Sequence, residues 1–224
     1  MNELTSIPRH QMTRLDFAAT RPMIGPAMLK LFYIPNTRAS RVRWMLEELA
    51  VPYELAVIDW PTAQGAEYRK AIHPLGAVPA LQDDGTIVFE SAAIIAYLAD
   101  KFPDKGLAPP PGERGAYYQW MLYAMATLEP LIVAFVDHTR KLPETERSST
   151  RAEAARRAFA AASAPIATAL QGKEWLLGSF SAADVVMGSV LNWAAFTKLV
   201  EAPELRGYVE RVRARPAWQR ARQD

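Results

Sequence analysis

Residues 29–58 read LKLFYIPNTRASRVRWMLEELAVPYELAVI, and this stretch decides the fold. Leu29–Ile34 is a short apolar run closed by Pro35-Asn36, the pattern of a buried strand. Val42, Met45, Leu46 and Leu49 then recur at i, i+3, i+4 and i+7, one face of a helix, with Arg41, Arg43, Glu47 and Glu48 at the other positions. Tyr53–Ile58 reads as a second strand. Strand, helix and strand at this spacing form a βαβ unit, which requires parallel pairing and a right-handed crossover.

Working outward, 65–72 suits a short helix and His73-Pro-Leu-Gly76 a turn. Asp83-Asp84-Gly85 separates two apolar runs, so 79–82 and 86–89 are expected to form a hairpin. Ser91 stands where an N-cap belongs, before an apolar helical face at Ile94, Ile95 and Leu98. These elements make an α/β domain over 28–102. The Pro-rich segment 103–112 reads as a linker. After it strand signals vanish. Helices are expected at 114–141, interrupted near Pro130, then at 150–170, 181–200, 203–214 and 216–222, an all-α domain over 113–224. Residues 1–27 mix Pro8, Pro22, Gly25 and Pro26 with no sustained period. They read as a mobile extension; the competing reading is a short targeting segment carrying Arg9, Arg14 and Arg21.

The chain has 224 residues, half of them apolar and 22% charged, a globular composition. A formal net charge of +2 gives no footprint for nucleic acid. No stretch approaches the run of about 18 apolar residues expected of a membrane span. The chain has no cysteine, so it has neither disulfides nor a thiol nucleophile, and any sulfur chemistry must use a sulfur brought by a ligand. Its three histidines, at 10, 73 and 138, are too dispersed for a local metal motif, so no metal is expected.

Several short motifs carry chemistry. Val78-Pro79 opens the third strand: it is either an ordinary edge proline or a cis bond that turns the Val78 N–H and C=O toward an extended peptide ligand. Glu90-Ser91 is either a plain helix cap or a carboxylate site at a helix N-terminus, with Glu90 beside it to accept from an ammonium group. Asn36-Thr37-Arg38 joins the first strand to the first helix, the place where α/β sheets gather ligands. Ser181-Ala-Ala-Asp184 is a capping box, with Asp in place of the usual Glu. Tyr117, Trp120 and Met121 lie in an aromatic stripe that serves either as core or as the wall of a cleft, faced by Trp193 and Phe196.

In this order, Lys30–Tyr33, Ser40–Glu48, His73–Leu81, Glu90–Leu98 and Ser181–Asp184 resemble the cytosolic glutathione S-transferase superfamily, and together they span residues 29–222. The resemblance implies a thioredoxin-like N-terminal domain (βαβ-ββα), an all-helical C-terminal domain, and a cytoplasmic homodimer that works in detoxification. It implies glutathione as cosubstrate, with Val78 and Pro79 against its cysteinyl backbone, Glu90 and Ser91 on its γ-glutamyl end, and Lys70 or Arg69 near its glycine end. Aligned on Val42-Arg43-Trp44, the family's catalytic Tyr falls on Phe32, its Ser on Thr37 or Asn36, and its Cys on Arg38, so Asn36, Thr37 and Arg38 are the catalytic candidates. The implied reaction is conjugation of the glutathione thiolate to a small hydrophobic electrophile lodged near Tyr117, Trp120 and Met121. Glutathione-dependent peroxidase or disulfide reductase activity, and a non-catalytic binding module, are the alternatives.

The magnitudes allow catalysis. A free thiol titrates near 8.5. Lowering that value to about 6.5 takes about 2.7 kcal/mol. One charge-assisted hydrogen bond supplies about 1.5–3 kcal/mol and a helix end about 0.3–1 kcal/mol.

Overall fold

The computed structural model describes residues 28–223. The expectations for 1–27 lie outside the described residues. The sequence elements appear in the expected order: β1 (Leu29–Tyr33), α1 (Ala39–Leu49), β2 (Tyr53–Val57), α2 (Trp60–Gln64), α3 (Ala66–Ala71), β3 (Ala80–Asp83), β4 (Thr86–Phe89) and α4 (Ser91–Lys101). The strands form one mixed sheet in the order β2-β1-β3-β4. β1 pairs in parallel with β2, Leu31 opposite Leu55, and antiparallel with β3, Leu31 opposite Leu81. This is the thioredoxin-like βαβ-ββα arrangement. The short-helix reading of 65–72 needs one addition. Asp59 caps an extra helix, α2, by accepting from the Thr62 N–H at 2.8 Å, and Pro61 sits in its first turn.

The second part of the chain is helical: α5 (Gly115–Leu122), a π-helical turn at Tyr123–Leu128, α6 (Glu129–Val136), a second π segment at Asp137–Lys141, α7 (Ser149–Ala169), α8 (Ala182–Phe196), α9 (Pro203–Ala214) and α10 (Pro216–Arg220). The expected interruption near Pro130 takes the form of a π turn within a continuous helix. The π turn ends just before that proline, and its wider i→i+5 ladder absorbs the missing N–H and the crowding against the preceding turn. As a result, Gly115–Lys141 runs 27 residues and is long and apolar enough to cross a membrane by length and composition, against the sequence expectation. In the fold it packs on α7 and α8, and its buried face joins the core.

Helix α1 joins the two parts. Arg41 and Arg43, which the sequence places off its apolar face, are buried along with that face. The reason is that α1 is covered on both sides, by its own sheet and by α8 and α10. Trp44 meets Trp218 edge-on at 4.8 Å between ring centroids, and Glu48 accepts a two-pronged pair from Arg215 at 2.6 and 2.8 Å. The close approach depends on Gly188 in α8. A Cβ there would stand 2.8 Å from Val212 Cγ2 and 3.4 Å from Trp44 Cη2. Gly188→Ala therefore overpacks this junction at a cost of about 1–3 kcal/mol, more than the roughly 0.5–1 kcal/mol that helix propensity returns. The melting temperature should fall. A rise would show that Val212 turns aside freely.

Candidate active site

The loop after β1 is shaped by three residues. Asn36 takes a left-handed conformation, φ 58°, which a short polar side chain tolerates. Thr37 Oγ1 donates to the Ile34 carbonyl at 2.7 Å and accepts from the Ala39 N–H at 3.2 Å, tying the end of β1 to the start of α1. With its hydroxyl turned to the Ile34 carbonyl, Thr37 shapes the loop it stands in. Arg38, the last residue before α1, lays its guanidinium 5.6 Å from the Trp193 ring and pairs its Nε with Glu129 Oε1.

A second loop faces the first. The Val78–Pro79 peptide bond is cis. Sheet pairing begins at Ala80, so the Val78 N–H and C=O lie outside the ladder. The loop is held from behind: Tyr68 Oη donates to the Ala77 carbonyl at 3.0 Å, and Gln64 Nε2 donates to the Gly76 carbonyl at 2.8 Å. Gly76 has φ +63°, and a Cβ there would sit 2.6 Å from the Ala63 carbonyl oxygen, so only glycine fits.

The third element is the start of α4. Ser91 was expected as the N-cap. Instead Glu90 occupies the cap position with φ 70° and ψ 112°, and Ser91 is the first helical residue, buried. The Ser91 hydroxyl accepts from Arg41 Nη1 at 3.3 Å. Beside them, His73 packs on Phe89 at 4.8 Å, and its Nδ1 accepts the Leu75 N–H at 3.2 Å. Burial draws the His73 pKa down, although Glu90 partly opposes this, so the ring favours its neutral form.

Beneath these loops lies an ion cluster that sequence reasoning missed. Glu129, buried in α6, accepts Arg41 Nη2 at 2.6 Å on one carboxylate oxygen and Arg38 on the other. Arg41 Nη1 also donates to Met125 Sδ at 2.9 Å. Burial alone would raise the Glu129 carboxyl pKa, but the Arg41 and Arg38 guanidiniums together hold it below the usual carboxylate range. Two guanidiniums against one carboxylate leave the cluster with one unit of positive charge. A lone acid inside an otherwise apolar helical stretch, Glu129, was the available signal.

Two cavities meet at the loop Asn36–Arg38, which lines both. The smaller, about 430 Å³, is walled by Val78, Pro79, Glu90, Ser91, Met125 and Glu129. The larger, about 860 Å³, is walled by Trp44, Trp193, Phe196 and Trp218 together with arginines. Thus Asn36, Thr37, Arg38, Val78, Pro79, Glu90 and Ser91 are brought together as expected. Lys70 is not: it lies exposed in the last turn of α3 and lines neither cavity, while Arg69 is bonded to Gln64. Tyr117, Trp120 and Met121 also line neither cavity. They are buried residues of α5, which packs on α8, and Trp193 and Phe196 of α8 take the place expected for them. Among the described residues no group of histidines and carboxylates is arranged to hold a metal.

Residues 37–101 match the family model described as glutathione S-transferase, N-terminal domain, and residues 120–216 the model for its C-terminal domain. The chain is 31% identical to the glutathione S-transferase GstA of Escherichia coli O157:H7 over 203 residues, 86% of this chain and 96% of that protein. It is 28% identical to the disulfide-bond oxidoreductase YfcG of Escherichia coli K12 over 85% of this chain and 92% of that one. A solved theta class glutathione S-transferase from Xanthomonas axonopodis pv. citri, with glutathione bound, superposes with a TM-score of 0.77 at 28% identity, covering 88% of this chain and 98% of its own.

Proposed function

The chain belongs to the glutathione S-transferase superfamily and is a glutathione S-transferase; from that premise we propose that it joins the thiolate sulfur of glutathione to a small hydrophobic electrophile. The observation that carries this reading is the shared wall. One loop, Asn36–Arg38, borders both a smaller cavity walled by Val78, Glu90 and Ser91 and a larger aromatic one, so a sulfur held there would face a guest in the second cavity. In the smaller cavity the Val78 N–H and C=O pair with the cysteinyl backbone. The Ser91 hydroxyl binds the γ-glutamyl carboxylate and Glu90 its ammonium group. Activation of the thiol falls to Asn36, Thr37 and Arg38, backed by the positive cluster on Glu129, since a hydrogen bond or positive charge near the sulfur favours its ionised form. The working unit on this reading is a cytoplasmic homodimer, for which exposed Phe89, Tyr118 and Leu122 supply apolar surface.

Ultraviolet titration of the glutathione complex tests the chemistry directly. The bound thiol should ionise well below the free-thiol value of about 8.5. Arg38→Leu should raise that pKa and slow conjugation of an aryl halide, with little change in glutathione affinity, because the interaction strengthens with charge on sulfur. Tyr33→Phe, behind the loop, is the control. An unshifted thiol in the wild-type complex would end the transferase reading. Similarity to a disulfide-bond oxidoreductase favours a second reading, glutathione-dependent reduction. Faster turnover of a disulfide or hydroperoxide than of an aryl halide would select it.

A further inference from the structure

The larger cavity is aromatic, and it is also one-signed. Arg38, Arg213 and Arg222 all line it, and no carboxylate among the described residues does. Two acids, Glu90 and Glu129, border the smaller cavity instead, and Glu129 is taken up by Arg38 and Arg41. Arg213, on α9, is held by a neutral partner: its Nε donates to Asn192 Oδ1 at 2.8 Å, which leaves its terminal nitrogens without a carboxylate among the described residues. Arg222 lies 5.3 Å from the Trp218 ring and makes no ion pair among the described residues. Arg38 lies similarly over Trp193. Indole faces thus alternate with guanidiniums around one space. The Asn192 bond orients the Arg213 fork, a guanidinium suits a planar anion, and the flanking rings are suited to stack an aromatic body.

We propose that the larger cavity selects aromatic electrophiles that carry a carboxylate, bound by Arg213 and Arg222 while the ring lies between Trp193 and Trp218. This rests on the conjugation reading above. With a halogenated nitrobenzoate the step balances as follows: the glutathione thiol releases its proton to solvent, the sulfur lone pair forms the C–S bond at the halogen-bearing carbon, and that C–Cl bond breaks with its electron pair leaving as chloride.

The test compares 4-chloro-3-nitrobenzoate with the uncharged 4-chloro-3-nitrobenzamide. For each probe kcat/KM is corrected for its uncatalysed rate with glutathione, and Kd is read from tryptophan quenching in the presence of S-methylglutathione. The carboxylate should be favoured about tenfold or more in both readouts, and the preference should shrink as salt rises. Arg213→Gln and Arg222→Gln should each lower the carboxylate-to-amide ratio, the double variant should bring it near one, and Arg213→Lys should restore part of it. Equal or weaker binding of the carboxylate overturns the inference, whether or not conjugation proceeds. Preferential binding of the carboxylate with turnover of neither probe supports this selectivity and overturns the conjugation reading instead.

Discussion

Replacing Glu129 with alanine should destabilise the chain by about 3–5 kcal/mol, the usual cost of removing one partner from a buried ion pair. Glu129 lies in α6, while Arg41 and Arg38 stand on and beside α1, so the cluster links the two parts of the chain. Without the carboxylate, Arg41 keeps its charge in a buried place. Among the described residues, Ser91 and Met125 remain to receive it. Urea unfolding reads the loss as a lower midpoint at unchanged slope. The double variant Arg41→Met, Glu129→Leu should recover much of the stability, since an apolar pair avoids the desolvation of both ions. It should not recover glutathione binding, because the bond that orients Ser91 goes with Arg41. A single-variant loss under about 1 kcal/mol would show that water reaches the cluster. The pH dependence has a definite sign. The folded Glu129 pKa lies below its ordinary 4.5, so its contribution is full above that value and is lost as the pH falls through the lower folded pKa.

Asp184→Ala is the second large effect, and it concerns folding alone. The Ser181–Asp184 capping box forms as the sequence suggests, but the carboxylate does more than cap α8. It accepts the Leu176 N–H at 3.0 Å, the Ser181 N–H at 2.9 Å, the Ser181 hydroxyl at 3.1 Å and the Tyr208 hydroxyl at 2.9 Å. Capping alone would be worth about 0.5–2 kcal/mol. Leaving several buried donors unpaired, at about 1–3 kcal/mol each, brings the expected loss to about 3–5 kcal/mol. Asp184→Asn should recover only part of this, since its amide turns donors toward donors. Any folded fraction should still bind glutathione with ordinary affinity. Lost affinity at intact stability would instead place Asp184 in the site. Burial raises the Asp184 pKa despite these bonds, so its pH slope opposes that of Glu129. Its contribution is full below the unfolded value and declines as the pH rises through the folded pKa.

Much of the fold was legible because its signals are local. The apolar run Leu29–Ile34, the i, i+3, i+4, i+7 face from Val42 and the Asp83-Asp84-Gly85 turn each declare an element within a few residues. The helical second part followed in the same way, except at Pro130, where a π turn absorbed a residue that normally ends a helix. Part of the site was legible for the same reason. Val78-Pro79, Glu90-Ser91 and Asn36–Arg38 are loop and helix-end motifs whose chemistry is carried by adjacent residues, and they do border common cavities.

Two assignments depended on distant parts of the chain. Arg41 stands off the apolar face of α1 in the sequence and is buried because α8 and α10 close over that helix. Its partner Glu129 is 88 residues away, and no local pattern announces a bond across such a span. The cleft wall likewise passed from Tyr117, Trp120 and Met121 to Trp193 and Phe196. The sequence alone determined which segments are strands, helices and turns, because backbone preference and hydrophobic period act over a few residues. The tertiary structure decided which charges are buried and which aromatic rings face the cleft, because each depends on what packs against the other side of the helix.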